Sequence, residues 1–93
     1  MSDLTSDDVK LLLMRDALER DALNRIRWDS RLRTDSFDIA YYDRITGRLT
    51  AIPYTEIEVE GDFLRHGDSM IPLHRIREIR YCGEIVWAKR RSP

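Results

Sequence analysis

Hydrophobic residues recur every three or four positions in the first third of the chain. The series is Leu11, Met14, Leu18, Ala22 and Ile26, and it predicts a helix with one buried stripe. The preceding segment 5–8 supplies a hydroxyl for an N-cap and acids near the positive end of the helix dipole. One long helix, or two helices that separate near Glu19, would both satisfy this pattern.

After Trp28 the hydrophobic period changes to the alternation typical of strands. Residues 37–42 and 49–52 flank Thr46-Gly47, which predicts a hairpin. Further strands are expected at 57–64, 70–73, 76–81 and 84–88, the last with Ile85 and Trp87 on one side, and no internal repeat is evident. Turns this short cannot form parallel crossovers. The predicted class is α+β, with an N-terminal helix or helix pair packed on a small, strongly curved antiparallel sheet of five or six strands.

Length and composition indicate one small globular domain. The chain has 93 residues, of which 42% are hydrophobic, enough for a single modest core. The single Cys82 forms no internal disulfide and fits a reducing compartment. The acidic start does not resemble a signal peptide, and the apolar run 11–14 is too short to span a bilayer. We therefore expect a cytoplasmic, soluble protein with no membrane partner.

Charge is distributed unevenly. Residues 1–23 hold three basic and six acidic side chains, a net charge of −3, whereas the remainder is weakly basic. Of the 16 basic residues all but Lys10 and Lys89 are arginine, the side chain favoured for bidentate phosphate contacts and for stacking on bases. Genomic GC content or a heat-adapted surface is the simpler explanation of composition alone. Composition thus permits RNA binding without demonstrating it.

Familiar catalytic and metal-binding motifs are absent from the sequence. It contains no glycine-rich phosphate loop, paired-cysteine site, His-Glu-x-x-His motif or nucleophile elbow. Neither histidine is followed two positions later by Ser or Thr, as in the twin motifs of cyclic phosphodiesterases. A metal site built from His66, Asp68 and His74 rests on sequence proximity alone. No metal and no cofactor is predicted.

A first cluster of candidate residues lies at the end of the helical stripe. Trp28 is a potential stacking surface for a base, and Arg25, Arg27 and Arg31 are potential phosphate contacts. The alternative is a core tryptophan with arginines placed favourably at a helix C-terminus. Burial is the favoured interpretation for Trp28 itself, since large aromatic side chains are mostly buried.

Two further clusters lie in the strand region. In one, Asp43 either orients Arg44 or a neighbouring arginine, or closes a hairpin as an Asx turn. In the other, residues 71–79 hold His74 and Arg75 within an apolar frame. That pair suits an anion, and the alternative is a buried histidine bonded to backbone.

These residues together resemble a known family. The chain contains, in order, Trp28-Asp29, Tyr41-x-Asp43-Arg44, Ile52-Pro53, Ile71-Pro72-x-His74-Arg75-Ile76, Gly83 and Val86-Trp87. This order is similar to that of a small archaeal family named the RNA cyclic group end recognition domain, over about residues 18–88. The resemblance implies a non-enzymatic module that recognises RNA ends bearing a 2′,3′-cyclic phosphate, in RNA processing or repair. It implies Asp43, Arg44, His74 and Arg75 as polar site residues, with Trp28 and Asp29 beside them.

The resemblance also divides the chain. Residues 1–17 are expected to be an acidic helical extension, and residues 18–93 a single α+β domain of the RNA-end recognition type. Ala88-Lys89 departs from the family pattern of an acid followed by a base, so the resemblance assigns no role to that strand end. The predicted RNA-binding residues are Arg27, Trp28, Asp29, Arg31, Asp43, Arg44, His74 and Arg75, with none assigned a catalytic role.

Three functions remain open at this point. The first is binding of RNA 3′ ends. The second is an enzyme, of phosphodiesterase or nuclease type, that uses His74 as a general acid or base beside Arg75 or Arg44. The third is an adaptor or homodimer that docks through the acidic, leucine-rich residues 4–23.

Overall fold

The structure is a computed structural model that describes residues 4–13 and 17–89. Within these residues there are two α-helices and seven β-strands. The helices are α1 (Ser6–Leu13) and α2 (Glu19–Trp28), and the strands are β1 (Phe37–Asp43), β2 (Arg48–Pro53), β3 (Ile57–Glu60), β4 (Phe63–His66), β5 (Ser69–Pro72), β6 (Ile76–Tyr81) and β7 (Glu84–Ala88). Short 3₁₀ helices occupy Thr34–Ser36, Tyr54–Glu56 and Leu73–Arg75. The predicted α+β class is confirmed. Of the two helical arrangements that the sequence allowed, the structure has the helix pair.

The two helices begin separately, and each buries its own apolar face in the shared core. At the start of α1 the Asp8 N–H donates to Thr5 Oγ1 at 3.2 Å, and the Thr5 N–H donates to an Asp8 carboxylate oxygen at 3.1 Å. This reciprocal capping satisfies two donors that the first helical turn leaves free. Helix α1 buries Val9 and Leu13, four positions apart on one face, and α2 buries a separate apolar face.

The predicted single stripe is wrong at two positions. Leu11 is 78% exposed and Leu18 is 69% exposed, although both belong to the series that predicted burial. Because α1 and α2 are separate elements, one helical phase does not run through both. Ala22 and Ile26 are buried as expected, and Met14 lies outside the described residues.

The strands form two antiparallel sheets. A four-stranded sheet has the order β2-β1-β6-β7, and a three-stranded sheet has the order β3-β4-β5. Residues 57–64, expected as one strand, form parts of two, because Gly61 has φ +59° and turns the chain between β3 and β4. Glycine adopts this left-handed conformation without the steric penalty that other residues incur. The described chain therefore has seven strands rather than five or six.

An internal repeat, absent from the sequence interpretation, becomes visible in the strand order. A unit of hairpin, Ile-Pro, 3₁₀ helix and third strand occurs twice, as β1-β2-β3 and as β4-β5-β6. Ile52-Pro53 and Ile71-Pro72 end the two hairpins at equivalent places, where Ile52 pairs with Ile39 and Ile71 pairs with Leu64. The third strand of each unit pairs with the first strand of the other unit, β3 with β4 and β6 with β1. The two sheets are thus joined by an exchange of strands.

A bulge changes which residues of β7 are buried. Opposite β6, Ile79 pairs with Trp87 but Arg80 pairs with Ile85, so Val86 is an extra residue. Val86 and Trp87 are both buried and Ile85 is exposed, and the prediction that Ile85 and Trp87 share one side is wrong. The Trp87 indole N–H donates to the Ala17 carbonyl at 3.0 Å. That bond ties the start of α2 to β7.

A candidate nucleic-acid interface

The 3₁₀ helix Leu73–Arg75 presents His74 from a packed backbone. Leu73 and the following Ile76 are both buried, and the Leu73 N–H donates to the Asp62 carbonyl at 2.9 Å. His74 itself is exposed and Arg75 is partly exposed. The alternative of a buried histidine bonded to backbone is therefore wrong.

Two cations hold this turn through its main chain. The His74 carbonyl accepts from Arg77 Nη1 at 2.6 Å and from Lys89 Nζ at 2.6 Å. Lys89 Nζ also lies 3.8 Å from a carboxylate oxygen of Glu19, at the start of α2. The turn is thereby fastened to both β6 and the end of β7, which leaves the His74 ring free to meet a ligand.

The end of β1 lies beside this turn. Strands β1 and β6 are antiparallel, with Tyr41 opposite Ile76. The residues that follow Tyr41 therefore run alongside those that precede Ile76, and β1 contacts the 3₁₀ helix. The structure brings the Asp43-Arg44 cluster and the His74-Arg75 cluster to the same end of the four-stranded sheet. We call these four residues the hairpin–turn site.

Asp43 closes the hairpin. Its Oδ1 accepts from the Ile45 N–H at 2.9 Å, and its carbonyl accepts from the Gly47 N–H at 2.8 Å. This is an Asx turn, the second of the two interpretations that the sequence allowed. Among the described residues Asp43 makes no ion pair with Arg44, so its role is to shape the loop that carries Arg44.

The arginines around the hairpin–turn site differ from most of the other arginines in residues 4–13 and 17–89. Arg31, Arg65 and Arg80 each pair with carboxylates, at 2.7, 2.5 and 2.8 Å for their closest contacts. Across residues 4–13 and 17–89, by contrast, no ion pair or hydrogen bond engages the side chains of Arg44 and Arg75 or the His74 ring. The same holds there for Arg48, which pairs with Asp43 across the hairpin ladder through its backbone only. Three arginines, Arg44, Arg48 and Arg75, thus lie at this end of the sheet without a charged partner among the described residues, beside the single acid Asp43.

The repeat shows that the turn does not require His74 and Arg75. Thr55 and Glu56 hold the equivalent positions in the first unit, and the backbone there forms the same Ile-Pro turn and 3₁₀ helix. Glu56 Oε1 lies 3.1 Å from His66 Nε2, so that turn carries an acid already engaged by a neighbour. The fold accepts either pair of residues. Folding therefore does not dictate a histidine and an arginine in the second turn.

The Trp28 cluster lies elsewhere. Trp28 is 76% exposed, and the favoured interpretation that it is buried is wrong. The Arg27 guanidinium lies 5.4 Å from the Trp28 ring centre, within cation–π range. Asp29 binds Arg31 through two side-chain contacts, at 3.0 Å to Nε and 2.7 Å to Nη2. Hydrogen bonds from the Arg31 side chain and backbone lower the pKa of the Asp29 carboxyl to about 2.

The two clusters do not form one pocket. The loop that holds Asp29 and Arg31 leads into the start of β1, at Phe37, whereas the hairpin–turn site lies at the other end, at Asp43. A seven-residue strand spans roughly 20 Å. The structure therefore brings together four of the predicted RNA-binding residues and separates them from Arg27, Trp28, Asp29 and Arg31.

A wide groove extends from Trp28 between the helices and β7. Its volume is about 1390 Å³, and its walls include Leu11 of α1, Arg25 of α2 and Ile85 of β7. The apolar side chains Leu11, Trp28 and Ile85 are exposed along it. The groove joins the Trp28 cluster to the β7 end but does not include the His74 ring or Arg75.

Within the described part of the chain, no three His, Cys, Asp or Glu side chains converge as a metal site would require. No described helix is both long enough and apolar enough to cross a membrane.

Comparison with known proteins identifies the family. Residues 14–89 match the family described as the MJ1316 RNA cyclic group end recognition domain. The chain belongs to this family. The resemblance drawn from the ordered motifs is thereby confirmed.

Relatives of similar length carry the name UPF0248 protein. One from Metallosphaera sedula is 36% identical over 72 residues, which cover 75% of this chain and 90% of the relative. One from Methanocaldococcus jannaschii is 34% identical over 74 residues, covering 76% and 92%. A third, from Saccharolobus solfataricus, is 33% identical over 76 residues, covering 75% and 94%. No solved structure matches the chain.

In this member of the RNA cyclic group end recognition family, α1 precedes the matched segment. Its buried residues Val9 and Leu13 nevertheless belong to the same core cluster as those of α2 and the sheets. The predicted division into an extension, 1–17, and a domain, 18–93, stays a prediction, and part of that extension lies outside the described residues.

Two residues beside the hairpin–turn site were missing from the sequence prediction. Tyr42 and Arg48 lie on the two strands of the hairpin, next to Asp43. Their signal in the sequence was weak, because alternation alone does not say which face of a strand stays open. The register of the hairpin supplies that information.

Proposed function

We propose that this protein binds the 3′ end of an RNA strand that carries a 2′,3′-cyclic phosphate, and that the hairpin–turn site holds this phosphate. The observation that carries the proposal is the pair of His74, which is exposed, and Arg75, which is partly exposed, on a turn whose counterpart in the repeat has Thr55 and Glu56. The family description, which names RNA cyclic group ends, supports the same ligand. The proposal includes a cytoplasmic role in RNA processing or repair.

The charge of the ligand fits this site. A cyclic phosphate is a diester with one negative charge, so charge alone cannot distinguish it from phosphates inside the strand. Recognition must therefore come from geometry, through a planar guanidinium fork and a second donor at a fixed angle. Arg75 or Arg44 supplies the fork, the His74 ring supplies the second donor, and the fastened turn holds that donor in place.

The Trp28 cluster fits a second contact on the same strand. Trp28 lies at the opposite end of α2 from Glu19, about 14 Å away along the helix, and Glu19 contacts Lys89, which binds the His74 carbonyl. This separation corresponds to about four stacked nucleotides at roughly 3.4 Å each. Exposed Trp28 would stack on an upstream base, and Arg27 and Arg31 would face the phosphates of the RNA strand. On this proposal, Trp28→Leu weakens binding of a 12-nucleotide RNA and leaves that of a trinucleotide unchanged. An equal loss for both lengths would show that Trp28 does not contact upstream bases.

The test of end recognition compares three RNAs of identical sequence that end in a 3′-hydroxyl, a linear 3′-phosphate or a 2′,3′-cyclic phosphate. Fluorescence anisotropy gives the Kd for each. The cyclic end should bind most tightly, whereas simple charge attraction would favour the linear phosphate, which carries more negative charge. Equal affinity for cyclic and hydroxyl ends would refute end recognition and leave general RNA binding in place.

Arg75→Ala probes the phosphate contact directly. Loss of one charge-assisted hydrogen bond costs about 1.5 kcal/mol, or roughly tenfold in Kd for the cyclic end. The affinity for the RNA with a 3′-hydroxyl end should fall by less than this. Arg33→Ala is the matched control, because Arg33 is exposed near the opposite end of β1. Among the described residues its side chain makes one ion pair, with Asp35 at 3.8 Å. Arg33→Ala should affect all three RNAs alike.

A second candidate function is ring opening of the cyclic phosphate, with His74 as general acid or base. His74 is exposed and its ring has no hydrogen-bond partner among the described residues, so the ring is accessible to substrate. Ring opening, however, calls for an acid and a base. The second histidine, His66, is in β4, where its ring contacts Glu56 of the first repeat unit. We propose binding without catalysis, and recovery of intact cyclic-ended RNA after prolonged incubation would support that choice.

A third candidate, protein docking through residues 4–23, rests on the exposed side chain of Leu11 beside the groove. Light scattering after size exclusion would detect a homodimer.

A further inference from the structure

An apolar patch adjoins the hairpin–turn site on the open side of the four-stranded sheet. Tyr42 pairs directly with Leu49 across the β1–β2 ladder, which places their side chains on the same face. Tyr42 is 38% exposed and Leu49 is 46% exposed. Ile45, in the turn that joins the two strands, is 96% exposed. We call Tyr42, Leu49 and Ile45 the hairpin patch.

Packing does not account for the aromatic ring at position 42. The neighbouring Tyr41 packs against the core cluster, whereas Tyr42 does not belong to it. Successive residues of a strand point to opposite faces, so Tyr42 lies on the face away from Ile39 and Tyr41. A solvent-exposed position in a hairpin requires no aromatic side chain, and three exposed apolar residues close together indicate an interaction surface.

The hairpin patch is bordered by positive charge. Arg44 follows Tyr42 by two residues, and Arg75 lies in the turn alongside the end of β1. Within the described residues neither of these two side chains has an ion pair or hydrogen bond. An apolar aromatic surface next to uncompensated guanidinium groups matches the two halves of a nucleotide, a base with a π face and an anionic phosphate.

We propose that Tyr42 is the stacking surface for the terminal base, the base of the same nucleotide whose phosphate occupies the hairpin–turn site. This inference rests on the proposed function and adds the base contact to it. Trp28 is placed poorly for that nucleotide, because it lies at the end of α2 about 14 Å from Glu19, and it is the Glu19 end of α2 that Lys89 joins to the His74 turn. Tyr42 would thus hold the last base, and Trp28 would meet bases upstream.

Stacking can be observed separately from binding. The probe is a cyclic-ended RNA whose 3′-terminal base is 2-aminopurine, which loses fluorescence when it stacks on an aromatic ring. Anisotropy of a 5′ fluorescein on the same strand reports binding, so both signals are read at saturating protein. Wild-type protein should quench the 2-aminopurine on binding.

The variants separate the ring from apolar bulk. Tyr42→Phe keeps the π face and should retain the quench, and Tyr42→Leu should abolish it. Loss of one base–aromatic contact, worth about 1–3 kcal/mol, should raise the Kd for the cyclic-ended RNA roughly 5- to 150-fold. Trp28→Leu should retain the terminal quench at saturation even if it weakens the affinity for a long strand.

Each outcome has a distinct meaning. A quench that persists in Tyr42→Leu and disappears in Trp28→Leu would overturn the assignment of Tyr42 while leaving end binding intact. Saturable binding with no quench in the wild type would overturn it as well. Failure of the proposed function appears differently, as equal anisotropy titrations for cyclic and hydroxyl ends. Circular dichroism of Tyr42→Leu confirms that a lost quench does not arise from unfolding.

Discussion

Replacing His74 by Thr and Arg75 by Glu would give the second Ile-Pro turn the residues of the first. The backbone already forms this turn around Thr55 and Glu56, so we expect the double variant to fold. His74 is exposed and donates no side-chain hydrogen bond within the described residues. Surface substitutions of this kind change stability by about 0.5 kcal/mol or less, which corresponds to a shift of roughly 2–4 °C in Tm for a domain of this size.

Binding should respond much more strongly than stability. The double variant removes one charge-assisted contact, from Arg75, worth about 1.5 kcal/mol, and one further donor, from His74, worth about 1 kcal/mol. Together they correspond to a roughly 70-fold rise in Kd for the cyclic-ended RNA. The new glutamate adds repulsion, so the pair His74→Thr/Arg75→Gln measures the loss without a reversed charge.

The assay combines thermal unfolding with anisotropy titrations of the cyclic and hydroxyl ends. Thr55→Ala is the matched control, since it alters the equivalent position of the other turn and should leave both Kd values unchanged. If the double variant keeps wild-type affinity for the cyclic end, the hairpin–turn site does not bind the phosphate. If it unfolds, the two turns are not interchangeable and the argument from the repeat is wrong.

Three further predictions concern packing and charge. Tyr54→Phe should lower the free energy of unfolding by about 1 kcal/mol in chemical denaturation, because the buried Tyr54 hydroxyl donates to the Leu23 carbonyl at 2.9 Å. Burial raises the pKa of Tyr54 above 10.0. That side chain therefore stabilises the fold below pH 10 and ceases to do so as pH rises through its folded pKa, an extra alkaline loss that Tyr54→Phe should lack. Carboxyl NMR should place the Asp29 pKa near 2 in the wild type and closer to 3.8 in Arg31→Ala. The stabilisation from Asp29 is present above about pH 4 and is lost as pH falls toward 2. If the Asp29 carboxyl titrates at the same pH in Arg31→Ala as in the wild type, the Arg31 side chain is not what lowers its pKa. Trp28→Leu should keep wild-type stability within about 0.5 kcal/mol, and a larger loss would mean that the ring is packed.

Short-range pattern determined much of the architecture. The change from a helical to an alternating period after Trp28, together with the turn at Thr46-Gly47, predicted the α+β class and the first hairpin. The ordered motifs predicted the family. These features depend on local propensity and residue spacing, which a sequence states directly.

The register of the strands, and the relative positions of residues far apart in the sequence, were decided by the tertiary structure. The bulge at Val86 exposed Ile85, and the separate start of α2 exposed Leu18, because one residue or one helical phase changes which side chains meet the core. The repeat emerged only when β3 paired with β4 and β6 paired with β1. The pairing of β1 with β6 placed the end of β1, with Asp43, beside the turn that carries His74. Distances between segments far apart in sequence depend on how strands pair in space, and no local pattern encodes them.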